Sequence, residues 1–121
     1  MILVDTSVWI DHLRAGSSEL VSLLNDLRVL VHPFVIGELA CGNLHNRKDV
    51  LDLMGDLPQV NIAADEEVLY FIEQHELMGK GVGYIDAHLL ASVALTPPAV
   101  LLTRDIRLES LATELKLCFP S

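Results

Sequence analysis

The sequence has no Cys-x-x-Cys pair, no apolar tract long enough to cross a membrane and no excess of positive charge, and each absence removes a class of function. Its two cysteines, Cys41 and Cys118, stand in apolar surroundings and read as inert core thiols, so neither a zinc site nor a redox motif is expected. The longest uncharged stretch, residues 87–103, contains Pro97-Pro98 and falls short of the roughly 20 residues of a membrane helix. No basic segment precedes the short apolar run at the amino terminus, so a signal peptide is not expected and a cytoplasmic location is. Lysine and arginine number 8 against 17 aspartates and glutamates, a net charge of −9, which argues against a broad basic face for DNA. A local basic rim remains open to Arg14, Arg47, Lys48, Lys80, Arg104 and Arg107. The glycines of residues 78–83 are followed by no Gly-Lys-Ser/Thr, so they predict a flexible lip beside a cleft and no phosphate cradle. With no repeat or linker either, the 121 residues predict one domain spanning 1–121.

What is abundant is apolar side chain: 51% of residues, with a mean hydropathy of +0.42. That is high for a small soluble monomer and points to a surface covered by a partner or a second copy. Short aliphatic runs at 2–4, 29–31, 60–63, 100–103 and 117–119 alternate with helical patterns at 8–13, 17–27, 33–44, 47–54, 65–77, 84–95 and 106–115. This alternation predicts an α/β fold with a parallel sheet and crossover helices. Ser17 or Ser18 can cap the second helix, Pro33 suits the first turn of the third, and 84–95 is apolar nearly all round, as a buried central helix is.

Against this apolar background four acids stand out. Asp5 and Asp105 each follow an aliphatic strand run, where open parallel sheets bind their ligands. Capping the next helix is the plain alternative for both, although Thr6-Ser7 could cap in place of Asp5. Glu38 is the one polar residue of 33–42, so a cleft-facing position is expected. Asp86 shares a helical face with Leu89, Leu90 and Val93 and lies in a first turn, where the helix dipole favours negative charge. His88 falls on another face and reads as incidental. Converging carboxylates repel each other strongly unless a divalent cation joins them. Oxygen ligands suit Mg²⁺ or Mn²⁺, which can activate water and orient a phosphodiester for in-line displacement. Such cleavage leaves a 5′-phosphate and a 3′-hydroxyl.

At these residues the chain resembles the PIN-domain ribonucleases, in particular the VapC toxins of bacterial type II toxin–antitoxin systems. The resemblance is carried by Met1-Ile2-Leu3-Val4-Asp5-Thr6-Ser7-Val8-Trp9-Ile10, Gly37-Glu38-Leu39, Gly83-Tyr84-Ile85-Asp86-Ala87-His88-Leu89-Leu90-Ala91-Ser92 and Leu101-Leu102-Thr103-Arg104-Asp105, in order along essentially the whole chain. It implies a parallel five-stranded sheet between helices, in three α/β/α layers, and Mg²⁺- or Mn²⁺-dependent endoribonuclease activity. By these matches Asp5 and Asp86 would be the core metal ligands, and Glu38 and Asp105 would bind the ion directly or through water. Ser7 and Thr103 would support the site. The resemblance also implies a homodimer, an RNA substrate, no membrane and inhibition by a cognate VapB-type antitoxin. Leu108 departs from the pattern, which often has an aromatic there; this alters packing and leaves the acids untouched.

Three other folds or functions compete with this one. A receiver domain needs an acidic pair after the first strand and a late lysine, and a haloacid-type phosphatase needs Asp-x-Asp where this chain has Asp5-Thr6-Ser7. A catalytically silent PIN scaffold that only binds RNA or protein is the stronger rival, and the presence of all four acids argues against it.

Overall fold

The computed structural model describes residues 1–120. Three parallel strands, β1 (Ile2–Val4), β2 (Val29–Leu30) and β3 (Val100–Leu102), lie in the order β2-β1-β3. Ile2 pairs with Val29 and Val100, Leu3 with Leu30 and Leu101, and Val4 with Leu102. All three β1 side chains are fully buried, so both sheet faces are covered. A strand buried on both sides must be continuously aliphatic, which is why Ile-Leu-Val forms the centre.

Among the described residues seven helices surround the sheet: α1 (Thr6–Ala15), α2 (Ser18–Asn25), α3 (Pro33–Ala40), α4 (Arg47–Asp56), α5 (Asp65–Gln74), α6 (Tyr84–Ala94) and α7 (Ile106–Glu114). The α/β class and the parallel sheet agree with the sequence; the expected five strands become three. The two outer runs each reach the sheet through a single parallel bridge, Val31 to Gln59 and Leu101 to Cys118. Pro58 and Pro120 bracket these edges, and a proline has no N–H to extend a ladder.

The helix patterns hold with shorter ends. Ser17 caps α2, its hydroxyl accepting from Leu20 N at 3.2 Å. Leu27, the last residue of the expected 17–27 helix, is 82% exposed, because the chain has already turned through a left-handed conformation there. Leu69 of α5 is likewise exposed while Val68 and Phe71 are buried. α3 stops at Ala40, four residues early, which leaves Cys41 exposed on its C-cap and Cys118 half-buried, so neither is the core thiol expected. α6 is the central helix: residues 87–93 are all buried, and Ser92 Oγ accepts from Ala63 N at 3.0 Å to hold the segment before α5. No helix among the described residues is long and apolar enough to cross a membrane.

Candidate active site

The strand order places the site. β1 has β2 on one side and β3 on the other, so its carboxyl end opens at the point where the winding reverses, the crevice where parallel sheets take ligands. Asp5 emerges there, its N–H still on the ladder to Leu102 O at 2.9 Å. It occupies the N-cap of α1, yet its side chain makes no capping bond. Thr6 and Ser7 do not cap either; both hydroxyls turn to the acids. Ser7 Oγ donates to Asp5 Oδ2 at 2.7 Å and Thr103 Oγ1 donates to the same oxygen at 2.8 Å. Thr6 Oγ1, from the next position, donates to Glu38 Oε1 at 2.8 Å.

The other two acids are held by backbone. Asp86 Oδ2 accepts a long bond from Gly83 N at 3.4 Å, across the first turn of α6. Asp105 is the N-cap of α7, with Oδ1 accepting from Leu108 N at 3.0 Å, so the capping alternative is correct for one of its oxygens. One rule covers all four: one carboxylate oxygen is tied down and the other takes no hydrogen bond among the described residues. Asp5 is buried, Asp86 half-buried, and Glu38 and Asp105 lie at the exposed rim.

Electrostatics shows that the acids share one region. Burial pushes the Asp86 carboxyl above its ordinary range, the charges of Asp5, Asp105 and Glu38 push it further, and the Gly83 N–H pulls it back. Asp86 thus feels all three of the other acids named from sequence. They do not close into a cage: among the described residues no three His, Cys, Asp or Glu side chains have the spacing of a preformed metal site. Like charges stand apart at this distance, and the untied oxygens are the ones left to approach an ion. An all-oxygen donor set of this kind fits Mg²⁺ or Mn²⁺.

Supporting bonds join the strand ends. Arg104 N donates to Ser7 Oγ at 2.9 Å and Asp105 N donates to Thr103 Oγ1 at 3.1 Å, so Ser7 and Thr103 each link the β3–α7 corner to Asp5. Thr6 is the supporting residue that sequence reasoning missed; no local signal ties it to a residue 32 positions away.

His88 is not incidental. It is 2% exposed, its Nε2 lies 3.1 Å from Asp65 Oδ1, and its ring meets Phe34 at 4.6 Å and His32 at 6.0 Å between centroids. His32 caps α3, with Nδ1 accepting from Phe34 N at 3.0 Å, so its proton sits on Nε2. Burial and the neighbouring His88 lower its pKa to about 4, which keeps it neutral. These rings pack the start of α3 against α6, the helix that carries Asp86.

Four acids, after β1, in α3, in α6 and after β3, each keep one carboxylate oxygen free of hydrogen bonds among the described residues. The chain belongs to the PIN-domain family, whose model matches residues 2–114. Within it the chain is similar to Ribonuclease VapC32 of Mycobacterium tuberculosis strain CDC 1551 / Oshkosh, 50% identical over 114 residues covering 94% of this chain and 92% of the relative. Ribonuclease VapC32 of strain ATCC 25618 / H37Rv is similar to the same extent. The resemblance carried by the four motifs therefore holds.

Proposed function

We propose that the chain is the toxin of a type II toxin–antitoxin pair, a Mg²⁺- or Mn²⁺-dependent endoribonuclease folded as one domain over 1–121 and acting in the cytoplasm. The observation that carries this is the Asp5 carboxylate at the carboxyl end of the central strand, tied through Oδ2 by Ser7 and Thr103 with Oδ1 left untied, while burial and the charges of Asp5, Asp105 and Glu38 raise the Asp86 carboxyl. Similarity to a protein named Ribonuclease VapC32 supports the reaction class. That name also supports a VapB-type antitoxin as partner. The apolar excess and the exposed Leu69, Tyr70 and Leu95 suit a homodimer.

In this reading Asp5 and Asp86 would hold the ion, and Glu38 and Asp105 would bind it directly or through water. When bound, Mg²⁺ or Mn²⁺ supplies Lewis acidity at the scissile phosphate and lowers the pKa of an attacking water. The chain's own work is orientation. Ser7 and Thr103 fix the rotation of the Asp5 carboxylate, Thr6 fixes Glu38, and the turn at Gly83 fixes Asp86. Outer partners of this kind typically change metal affinity by about 10- to 100-fold.

One observation favours the silent scaffold: the four acids are not preset at cage spacing. A single experiment separates the two. Purified, antitoxin-free protein is incubated with total RNA and Mg²⁺ or Mn²⁺. Cleavage that EDTA stops establishes the enzyme; intact RNA with binding retained establishes the scaffold.

A further inference from the structure

The chain's lysines and arginines are not evenly employed. Arg47 is bound to the Ala40 carbonyl, 3.0 Å from Nη2, and Lys48 pairs with Asp52 at 2.8 Å. Four others border two clefts that take in the chain neighbours of Asp105, Arg104 on one side and Ile106 and Arg107 on the other. One cleft, of about 690 Å³, lies between the end of α1 and the start of α2 and holds Arg14 and Arg104. The second, of about 260 Å³, lies against α7 and holds Lys80 and Arg107.

Arg104 and Arg107 flank Asp105 in the chain and diverge from it. Arg104 reaches α1, where Nε lies 3.3 Å from Asp11 Oδ2. Arg107 lies over the loop before α6: a Cβ on Gly81 would come within 2.8 Å of its Nη1. Gly81 also has φ +81°, a left-handed conformation that favours glycine. Asp11 takes the Nε edge of Arg104 and leaves its Nη groups open, while Arg14 has no hydrogen bond or ion pair among the described residues. Each arginine thus has donors aimed at no protein acceptor, in a fork that matches phosphate oxygens.

We propose that a single RNA strand crosses the acid cluster with one backbone phosphate in each cleft, one on Arg14 and Arg104 and the other on Lys80 and Arg107. This rests on the ribonuclease reading and adds where the substrate is held. The first cleft also carries Asp11 and Glu19 and the second Glu114, so the attraction is confined to the arginine and lysine heads. A strongly acidic chain can in this way seat a strand over four carboxylates without a broad basic face.

The test measures binding of a fluorescein-labelled, random-sequence RNA oligonucleotide by anisotropy, in an Asp86→Asn background with Mg²⁺, across a salt series. Arg14→Gln, Arg104→Gln and Arg107→Gln should each weaken binding severalfold and lower the slope of log affinity against log salt by about 0.7, the value for one single-strand phosphate contact. Arg28→Gln, outside both clefts, should leave the slope unchanged. In chains with Asp86 intact, the three cleft variants should raise KM severalfold and leave kcat near the parent value. Cleft variants that match the parent in slope and KM overturn the proposal while the ribonuclease reading stands. An equal loss in Arg28→Gln also overturns it, since net charge alone would then explain the effect. Failure of the parent chain to bind or cut RNA overturns both.

Discussion

Replacing Thr103 by valine removes one oxygen from the centre of the site and changes little else. The side chain is 4% exposed and the two residues have nearly the same shape, so no cavity opens. Two bonds vanish: Thr103 Oγ1 to Asp5 Oδ2 at 2.8 Å, and Asp105 N to Thr103 Oγ1 at 3.1 Å. A buried bond to a carboxylate contributes about 1.5–3 kcal/mol and an ordinary one about 1 kcal/mol, so the loss should be about 2–3 kcal/mol after the added methyl offsets part of it. For a chain of this size about 1 kcal/mol moves Tm by about 4 °C, which predicts a fall of about 8–12 °C in EDTA by circular dichroism. Thr103→Ser keeps both bonds and loses one buried methyl, so it should fall by no more than about 4 °C. A valine variant melting within about 2 °C of the parent, or a serine variant falling as far as the valine one, would refute the tether account.

Asp86→Asn should abolish RNA cleavage while the far-ultraviolet spectrum stays unchanged; wild-type rates would remove Asp86 from the site. The same variant tests the crowding of charge. Because the fold raises the Asp86 carboxyl above its ordinary 3.8, stability from this group is full below that pH and is lost as pH rises through the raised value. In EDTA at neutral pH the asparagine variant should therefore melt higher than the parent, with the gap closing as pH falls toward 4; a lower melting point at neutral pH would contradict this. His32 acts in the opposite sense: with its pKa lowered from 6.5 to about 4, stability present above 6.5 is lost as pH falls through 4. His32→Gln should flatten the parent's acid-side loss in Tm, and an unchanged slope would count against a neutral buried imidazole. Ser92→Ala orphans the buried Ala63 N–H and should cost about 1–3 kcal/mol by urea denaturation. A change below about 0.5 kcal/mol would show that the serine does not anchor α5.

The parts of the fold that sequence reveals are those set by burial on both sides. Ile2, Leu3 and Val4, and then Leu101 and Leu102, are aliphatic because helices cover both faces of those strands. The outer runs at 60–63 and 117–119 are less buried, with Ile62 47% exposed and residues 117–119 half-buried, and each edge pairs only once, since strand length there depends on Pro58, Pro120 and the turns that follow. The acids were legible one by one, as charge in apolar company. Their tethers were not: Thr6 meets Glu38 across 32 residues and Thr103 meets Asp5 across 98, contacts that only the folded chain creates. His88 was misjudged because face arguments assume that a helix has a wet side, and α6 is buried on every side.

The central claim is that the four untied carboxylate oxygens can hold one divalent centre together. Calorimetric titration of the metal-free chain with Mn²⁺, beside Asp5→Asn, Glu38→Gln, Asp86→Asn and Asp105→Asn, tests it most directly. The account predicts saturable binding to the parent and a loss of about tenfold or more in affinity for each variant. No Mn²⁺ binding by the parent, or parent-like affinity in Asp5→Asn and Asp86→Asn, would contradict it.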